Sequence, residues 1–170
     1  MRRIAVMSDT HWSKWDPNDL LVQALCEKLK TGYHQIWHGG DVVDNSILLA
    51  LEKFCPVICV KGNCDSFFGR DLPHSVVEKI EDVKIGMIHG WNLPLDFHPS
   101  IIEQFPDDVK VIIHGHTHRR RFQECQREDG SEVTIINPGS VSSPRGGETP
   151  SFGELVIHEA YWEFSVIELA

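Results

Sequence analysis

The first two thirds of the chain alternate short apolar runs with segments of helical periodicity. The apolar runs at 4–7, 35–37 and 56–60 have the length and composition of buried strands. Between them, apolar residues recur three and four positions apart over 16–32 and 44–54, which predicts two helices. This strand–helix–strand order indicates a parallel sheet with crossover helices.

The pattern changes in the second part of the chain, where strands pair with their neighbours. Hairpins are predicted for 76–80 with 83–88, for 121–126 with 132–136, and for 155–158 with 162–167; a helix is predicted at 99–105 and a strand at 109–113. We therefore expect an α/β fold, a four-layer αββα sandwich with two mixed β-sheets face to face and the helices outside. Because no linker or repeat interrupts these elements, we expect one domain over residues 1–170.

Composition narrows the classes of partner. The net charge of −9 argues against nucleic acid as the main partner and against an anionic membrane surface. No apolar run approaches the ~20 residues that span a bilayer. The five cysteines include no Cys-x-x-Cys pair, which is typical of a reducing compartment, so we expect a cytoplasmic protein.

Potential metal ligands follow five predicted strands in turn. Because ligands gather outside the carboxyl ends of strands in α/β sheets, we expect these side chains to meet at one edge. Together they form a set suited to two adjacent divalent cations. Imidazole and carboxylate without thiolate favour Mn²⁺, Fe²⁺, Ni²⁺ or Zn²⁺ over Mg²⁺ and Ca²⁺, and we expect Mn²⁺ to activate best. The candidates are Asp9, His11, Asp41, Asn63, His89, His116 and His118.

The order of these motifs resembles the calcineurin-like metallophosphoesterase family. The motifs are Asp9-x-His11, Gly40-Asp41, Gly62-Asn63-x-Asp65, His89-Gly90 and Gly115-His116-x-His118. The segments 61–65 and 137–140, followed by Ser143-Pro144-Arg145, are similar to the small bacterial and archaeal phosphodiesterase branch in particular. The resemblance covers most of the chain and implies the same four-layer fold.

The resemblance also implies residue roles. One metal would be held by Asp9, His11, Asp41 and His118, and the second by Asp41, Asn63, His89 and His116. Asp41 would bridge the two metals, and a hydroxide bridging them would attack phosphorus. The amide of Asn63 could also donate to a phosphoryl oxygen. Arg145 is a candidate phosphate contact, with loop-anchoring ion pairs as the alternative.

Position 64 departs from the family pattern. Many members carry a histidine there as the proposed general acid, held by the next carboxylate, here Asp65. The thiol of Cys64 is a weak hydrogen-bond donor, so we expect esters with good leaving groups to be the better substrates. Cys64 could instead be a redox-sensitive thiol or a small residue beside the site. A metal-ligand role is least favoured, because Asn63 already fills that place.

A second departure is Trp91, which follows His89-Gly90 where relatives often have another histidine. Its ring could stack on a flat group of the substrate, or it could simply pack on the rim of the sandwich. Either interpretation places Trp91 beside the predicted metal ligands.

The leading interpretation is a binuclear-metal-dependent phosphodiesterase acting on a small phosphoester. One alternative is a non-catalytic metal-binding scaffold of the retromer-subunit type, and another is a phosphomonoesterase. The complete ligand set favours an enzyme, because degraded scaffolds tend to lose part of it. Exposed hairpin edges near the C-terminus could pair two chains into a homo-oligomer.

Overall fold

The computed structural model describes residues 1–66 and 70–170. These residues form ten strands and three helices. The helices are α1 (Leu20–Leu29), α2 (Asn45–Leu51) and α3 (Pro99–Ile102). The strands are β1 (Arg2–Met7), β2 (Gln35–His38), β3 (Val57–Cys59), β4 (Ser75–Ile80), β5 (Val83–Ile88), β6 (Val111–Ile113), β7 (Arg120–Gln126), β8 (Glu132–Pro138), β9 (Ser151–His158) and β10 (Tyr161–Glu168).

The strands form two five-stranded mixed sheets. The first has the order β10-β9-β1-β2-β3. Strands β1, β2 and β3 are parallel, and β9 pairs antiparallel with both β1 and β10. The second has the order β4-β5-β6-β8-β7, with β5, β6 and β8 parallel and both edge strands antiparallel. All three predicted hairpins are confirmed, and so is the parallel pairing of the first three strands.

Three clusters of buried apolar side chains lie between the four layers of helices and sheets. Side chains alternate along β1, so that Ile4 and Val6 pack against the second sheet while Ala5 and Met7 pack against α1 and α2. On the outer side of the second sheet, Ile101 of α3 packs in a third cluster with residues of β6 and β8. The predicted αββα sandwich is therefore confirmed.

The helices are shorter than predicted, for local reasons. The first begins at Leu20, because the Asp19 carboxylate caps it by accepting from the backbone N–H groups of Leu21 and Val22 at 2.8 and 3.1 Å. The second ends at Leu51 rather than residue 54, where tight i→i+3 turns replace the helical pattern. The third covers 99–102 only. None of the helices in the described ranges has the length and apolar character needed to cross a membrane.

Candidate metal centre

The predicted ligands meet where the carboxyl ends of the strands of both sheets come together. The backbone N–H of Asp9, after β1, donates to the carbonyl of Gly40, after β2, at 3.0 Å. The two sheets are joined here by the backbone N–H of His116, which donates to Asp9 Oδ2 at 3.0 Å. The expected convergence of the strand ends is therefore present.

Two buried carboxylates lie at the centre, surrounded by imidazoles. Asp9 is fully buried and Asp41 is 2% exposed. Asp9 Oδ1 lies 3.4 Å from Nε2 of His118, whereas Asp41 Oδ2 lies 3.3 Å from Nε2 of both His11 and His89. The Nε2 atoms of His11 and His118 are themselves only 3.2 Å apart. The carboxylates and three of the four predicted imidazoles thus direct their ligand atoms at one small region.

Three groups of potential ligands in the described residues have their donor atoms within 4.8 Å of one another. The groups are Asp9, His11 and His118; Asp9, Asp41 and His89; and His11, Asp41 and Cys64. Asn63 joins them through its Oδ1, which is 3.1 Å from Nε2 of His89. His116 lies in none of these groups, but its ring centroid is 5.2 Å from that of His89.

The surroundings of Asp9 Oδ1 show whether a divalent cation fits the candidate centre. The atom is buried and has no hydrogen-bond partner among the described residues. A buried carboxylate oxygen left without a partner is costly, and proteins resolve such a charge by pairing it or by binding metal. Because imidazole nitrogens also face this oxygen, the donor set fits a divalent cation that accepts mixed nitrogen and oxygen ligands.

The imidazoles are oriented by backbone carbonyls behind them. His89 Nδ1 donates to the carbonyl of Gly39, and His118 Nδ1 donates to the carbonyl of Ser143, each at 2.7 Å. Since a carbonyl only accepts, each ring carries its proton on Nδ1 and presents Nε2 to the carboxylates. This arrangement is typical of metal-binding histidines. The sequence could not reveal Gly39 and Ser143 in this role, because every residue has a carbonyl.

The carboxylates also change the pKa values of two neighbouring imidazoles. The hydrogen bond to Asp41, together with the negative charge of Asp9 nearby, raises the pKa of His11 to about 9. Burial lowers the pKa of His89, but the hydrogen bond to Asp41 and the charges of Asp9 and Asp41 outweigh it, so its pKa is raised as well. A cation must therefore displace a proton from His11 at neutral pH, so its binding strengthens as pH rises toward 9.

Five of the predicted ligands have left-handed backbone conformations. The φ angle is 53° at Asp9, 46° at His11, 56° at Asp41, 69° at His116 and 57° at His118. A non-glycine residue in this region costs on the order of 1–3 kcal/mol and persists only where the surroundings impose it. Such strain concentrates at functional sites, and here it coincides with the ligand set. No sequence signal identified these angles.

Asp65 holds two loops of the site together through backbone hydrogen bonds. Its carboxylate is 4% exposed and accepts three backbone N–H groups, from Asp41 at 2.9 Å, Val43 at 2.9 Å and Gly62 at 2.7 Å. These bonds fix the loops after β2 and β3 against each other. The geometry therefore makes Asp65 a positioning residue for Asp41, while a catalytic role for it stays a prediction.

The other predicted residues lie at the rim. Cys64 is exposed; its backbone N–H donates to Asp41 Oδ1 at 2.9 Å. Arg145 is exposed, and its backbone N–H donates to the carbonyl of His118 at 2.9 Å. Burial is the main reason that the pKa of His116 is lowered, and the positive charges of His89 and then of Arg145 add to the effect.

The chain is similar to known phosphoesterases. Residues 1–160 match a family model described as a calcineurin-like phosphoesterase superfamily domain. A protein of Methanothermobacter thermautotrophicus named "Probable metallophosphoesterase" is 33% identical over 143 residues, which cover 84% of this chain and 78% of that protein. The phosphodiesterase YfcE of Escherichia coli K12 is 31% identical over 105 residues, 58% of this chain and 52% of YfcE.

A solved structure of similar fold extends the comparison to nearly the whole chain. Vps29 of Entamoeba histolytica, crystallised with zinc, aligns with a TM-score of 0.71 over 99% of both chains at 21% identity. Similarity at this identity establishes the shared fold.

Proposed function

The chain belongs to the calcineurin-like phosphoesterase superfamily, and we propose that it is a metal-dependent phosphodiesterase that hydrolyses a small phosphoester. One observation carries the proposal: the buried, unpaired Oδ1 of Asp9 faces imidazole nitrogens of His11 and His118 among the described residues. These atoms provide a place for a cation next to a rim that carries an amide and an arginine.

We assign the ligands to two cations that share Asp41. A carboxylate has two oxygens, and a shared anion reduces the repulsion between neighbouring cations. Mn²⁺ is the expected activator, with Fe²⁺, Ni²⁺ and Zn²⁺ as alternatives that the same donor set accepts. Asp9, His11, Asp41 and His118 would hold one cation, and Asp41, Asn63, His89 and His116 would hold the other.

When bound, two divalent cations supply positive charge for the phosphoryl oxygens and lower the pKa of water. The protein contributes the positioning. The Asn63 side chain offers its Oδ1 toward His89. Its NH₂ group donates one hydrogen to Cys64 Sγ at 3.5 Å and has a second that can donate to a phosphoryl oxygen. Arg145 can add a charge-assisted hydrogen bond to the same group. No protein nucleophile is needed for this reaction.

Metal-dependent turnover tests the proposal. We expect the protein to hydrolyse bis-p-nitrophenyl phosphate when Mn²⁺ is added, to lose that activity with a chelator, and to regain it when Mn²⁺ is restored. The release of nitrophenolate is followed by absorbance. If the protein binds Mn²⁺ by calorimetry but does not turn over the diester, the metal-binding scaffold becomes the better interpretation.

A second prediction concerns Cys64 and the leaving group of the substrate. Because a thiol is a poor proton donor, alkyl leaving groups should depart slowly from the wild-type site. Cys64→His places an imidazole there, and we expect kcat/KM for a dialkyl phosphate to rise by roughly 10²-fold, within the range of general acid catalysis. Turnover of bis-p-nitrophenyl phosphate should change much less, because nitrophenolate leaves without a proton.

Cys64→Ser is the matched control for this experiment. It removes the thiol without adding a group that titrates near neutral pH, so it should leave the ratio of the two kcat/KM values unchanged. Phosphorus NMR can follow the dialkyl ester. An equal gain on both substrates in Cys64→His would show that proton supply to the leaving group does not limit the reaction.

A further inference from the structure

We propose that Trp91 is a stacking platform that selects phosphodiesters carrying a planar aromatic group on the side of phosphorus away from the leaving group. The inference rests on the proposed function and names its substrate class. Trp91 follows β5, two residues after His89, and the backbone turns at Gly90, where φ is 99°.

The indole lies on one defined side of the candidate metal centre. Its ring centroid is 6.1 Å from that of His89, and the His89 ring is 5.2 Å from that of His116. The Cys64 thiol belongs to the group of donor atoms that contains His11 and Asp41. Asn63 stands between Cys64 and His89, because its Nδ2 donates to Cys64 Sγ at 3.5 Å while its Oδ1 lies 3.1 Å from His89 Nε2.

His74 supports the indole. Its ring centroid is 4.9 Å from that of Trp91, and the two planes meet at 74°, an edge-to-face arrangement that is favourable for aromatic pairs. His74 is exposed and precedes β4, the edge strand that pairs with β5. This contact supports the indole of Trp91 from one side.

The indole also retains surface for a ligand. Trp91 is half-buried, and its Nε1–H donates no hydrogen bond within the described part of the chain. By contrast, the fully buried Trp37 donates to Gln35 Oε1 at 3.1 Å. A large aromatic surface that is partly open beside charged ligands is suited to a group that is flat and apolar.

The orientation of the substrate decides which of its ester groups stacks on Trp91. The resemblance to the family implies a proton donor for the leaving group at position 64, so the leaving oxygen would point toward Cys64. Since Trp91 lies on the His89 side, it would contact the ester group that stays on phosphorus. A neutral stacking contact also suits a protein with a net charge of −9, which offers little further attraction to an anionic substrate.

Two substrates with the same leaving group test this assignment. Bis-p-nitrophenyl phosphate keeps an aryl group after hydrolysis, whereas methyl p-nitrophenyl phosphate keeps a methyl group. In Trp91→Leu we expect KM for the diaryl ester to rise about 10-fold, as for the loss of one base–aromatic stack. KM for the methyl ester should change less than 2-fold, and kcat should stay close to wild type for both.

Trp91→Phe keeps an aromatic face and is the matched variant, with an expected rise of less than about 3-fold for the diaryl ester. Thermal unfolding of both variants controls for folding. Equal losses on the two esters, or no loss on either, would overturn the inference. Failure of the proposed function looks different, because the wild-type protein would then turn over neither ester with Mn²⁺.

Discussion

Replacing Asp41 with asparagine is expected to lower Mn²⁺-dependent hydrolysis of bis-p-nitrophenyl phosphate by roughly 10³-fold or more, as for the loss of a central electrostatic group. Asp41 Oδ2 is 3.3 Å from Nε2 of both His11 and His89, so this carboxylate is the one that both proposed cations would share. Asparagine keeps the shape of the side chain but removes the charge. The same variant should bind Mn²⁺ more weakly, which calorimetry measures independently of turnover.

Asp44→Asn provides the matched control. It makes the same chemical change three residues later, where Asp44 caps α2 by accepting from the backbone N–H of Ser46 at 2.9 Å. Asparagine caps a helix about as well as aspartate, so stability and activity should stay close to wild type. If Asp41→Asn were no less active than Asp44→Asn, Asp41 would not be a shared ligand.

The core of this site could be predicted from sequence because it depends on strand ends. Asp9, Asp41 and His89 each come one to three residues after the end of a buried strand, and parallel strands bring their carboxyl ends to the same edge. These side chains come to the same edge whichever sheet each strand belongs to. A buried first strand was also predictable, because the unbroken apolar run 4–7 is typical of a strand buried on both faces. In the structure the side chains of β1 face two different apolar clusters.

Other features depend on contacts that leave no sequence signal. The orientation of His118 depends on the carbonyl of Ser143, and the carboxylate of Asp65 accepts only backbone N–H groups. Backbone donors and acceptors belong to nearly every residue, so neither partner could be found from side-chain types. Helix starts have a similar ambiguity: Asp16 and Asp19 are both suitable capping residues, but Asp19 caps α1 while the Asp16 side chain accepts from the backbone N–H of Asn18.

Asp65→Asn should reduce stability more than a surface substitution and weaken the site at the same time. In asparagine, one carboxylate oxygen becomes an NH₂ group. The favoured orientation keeps the oxygen toward Asp41 and Gly62 and turns the NH₂ against the backbone N–H of Val43. A charge-assisted bond is lost and buried donors face each other, so we expect the free energy of unfolding to fall by about 2–3 kcal/mol.

The expected result distinguishes positioning from catalysis. Urea unfolding with a chelator present measures the loss of stability without metal, and Asp71→Asn, at an exposed carboxylate, is the control. If Asp65 positions Asp41, the variant should be less stable, and raising the Mn²⁺ concentration should restore much of kcat. If Asp65 acts in the chemical step instead, kcat should stay low at saturating Mn²⁺ while stability remains near wild type. Because its three bonds all go to backbone groups, we expect the first result.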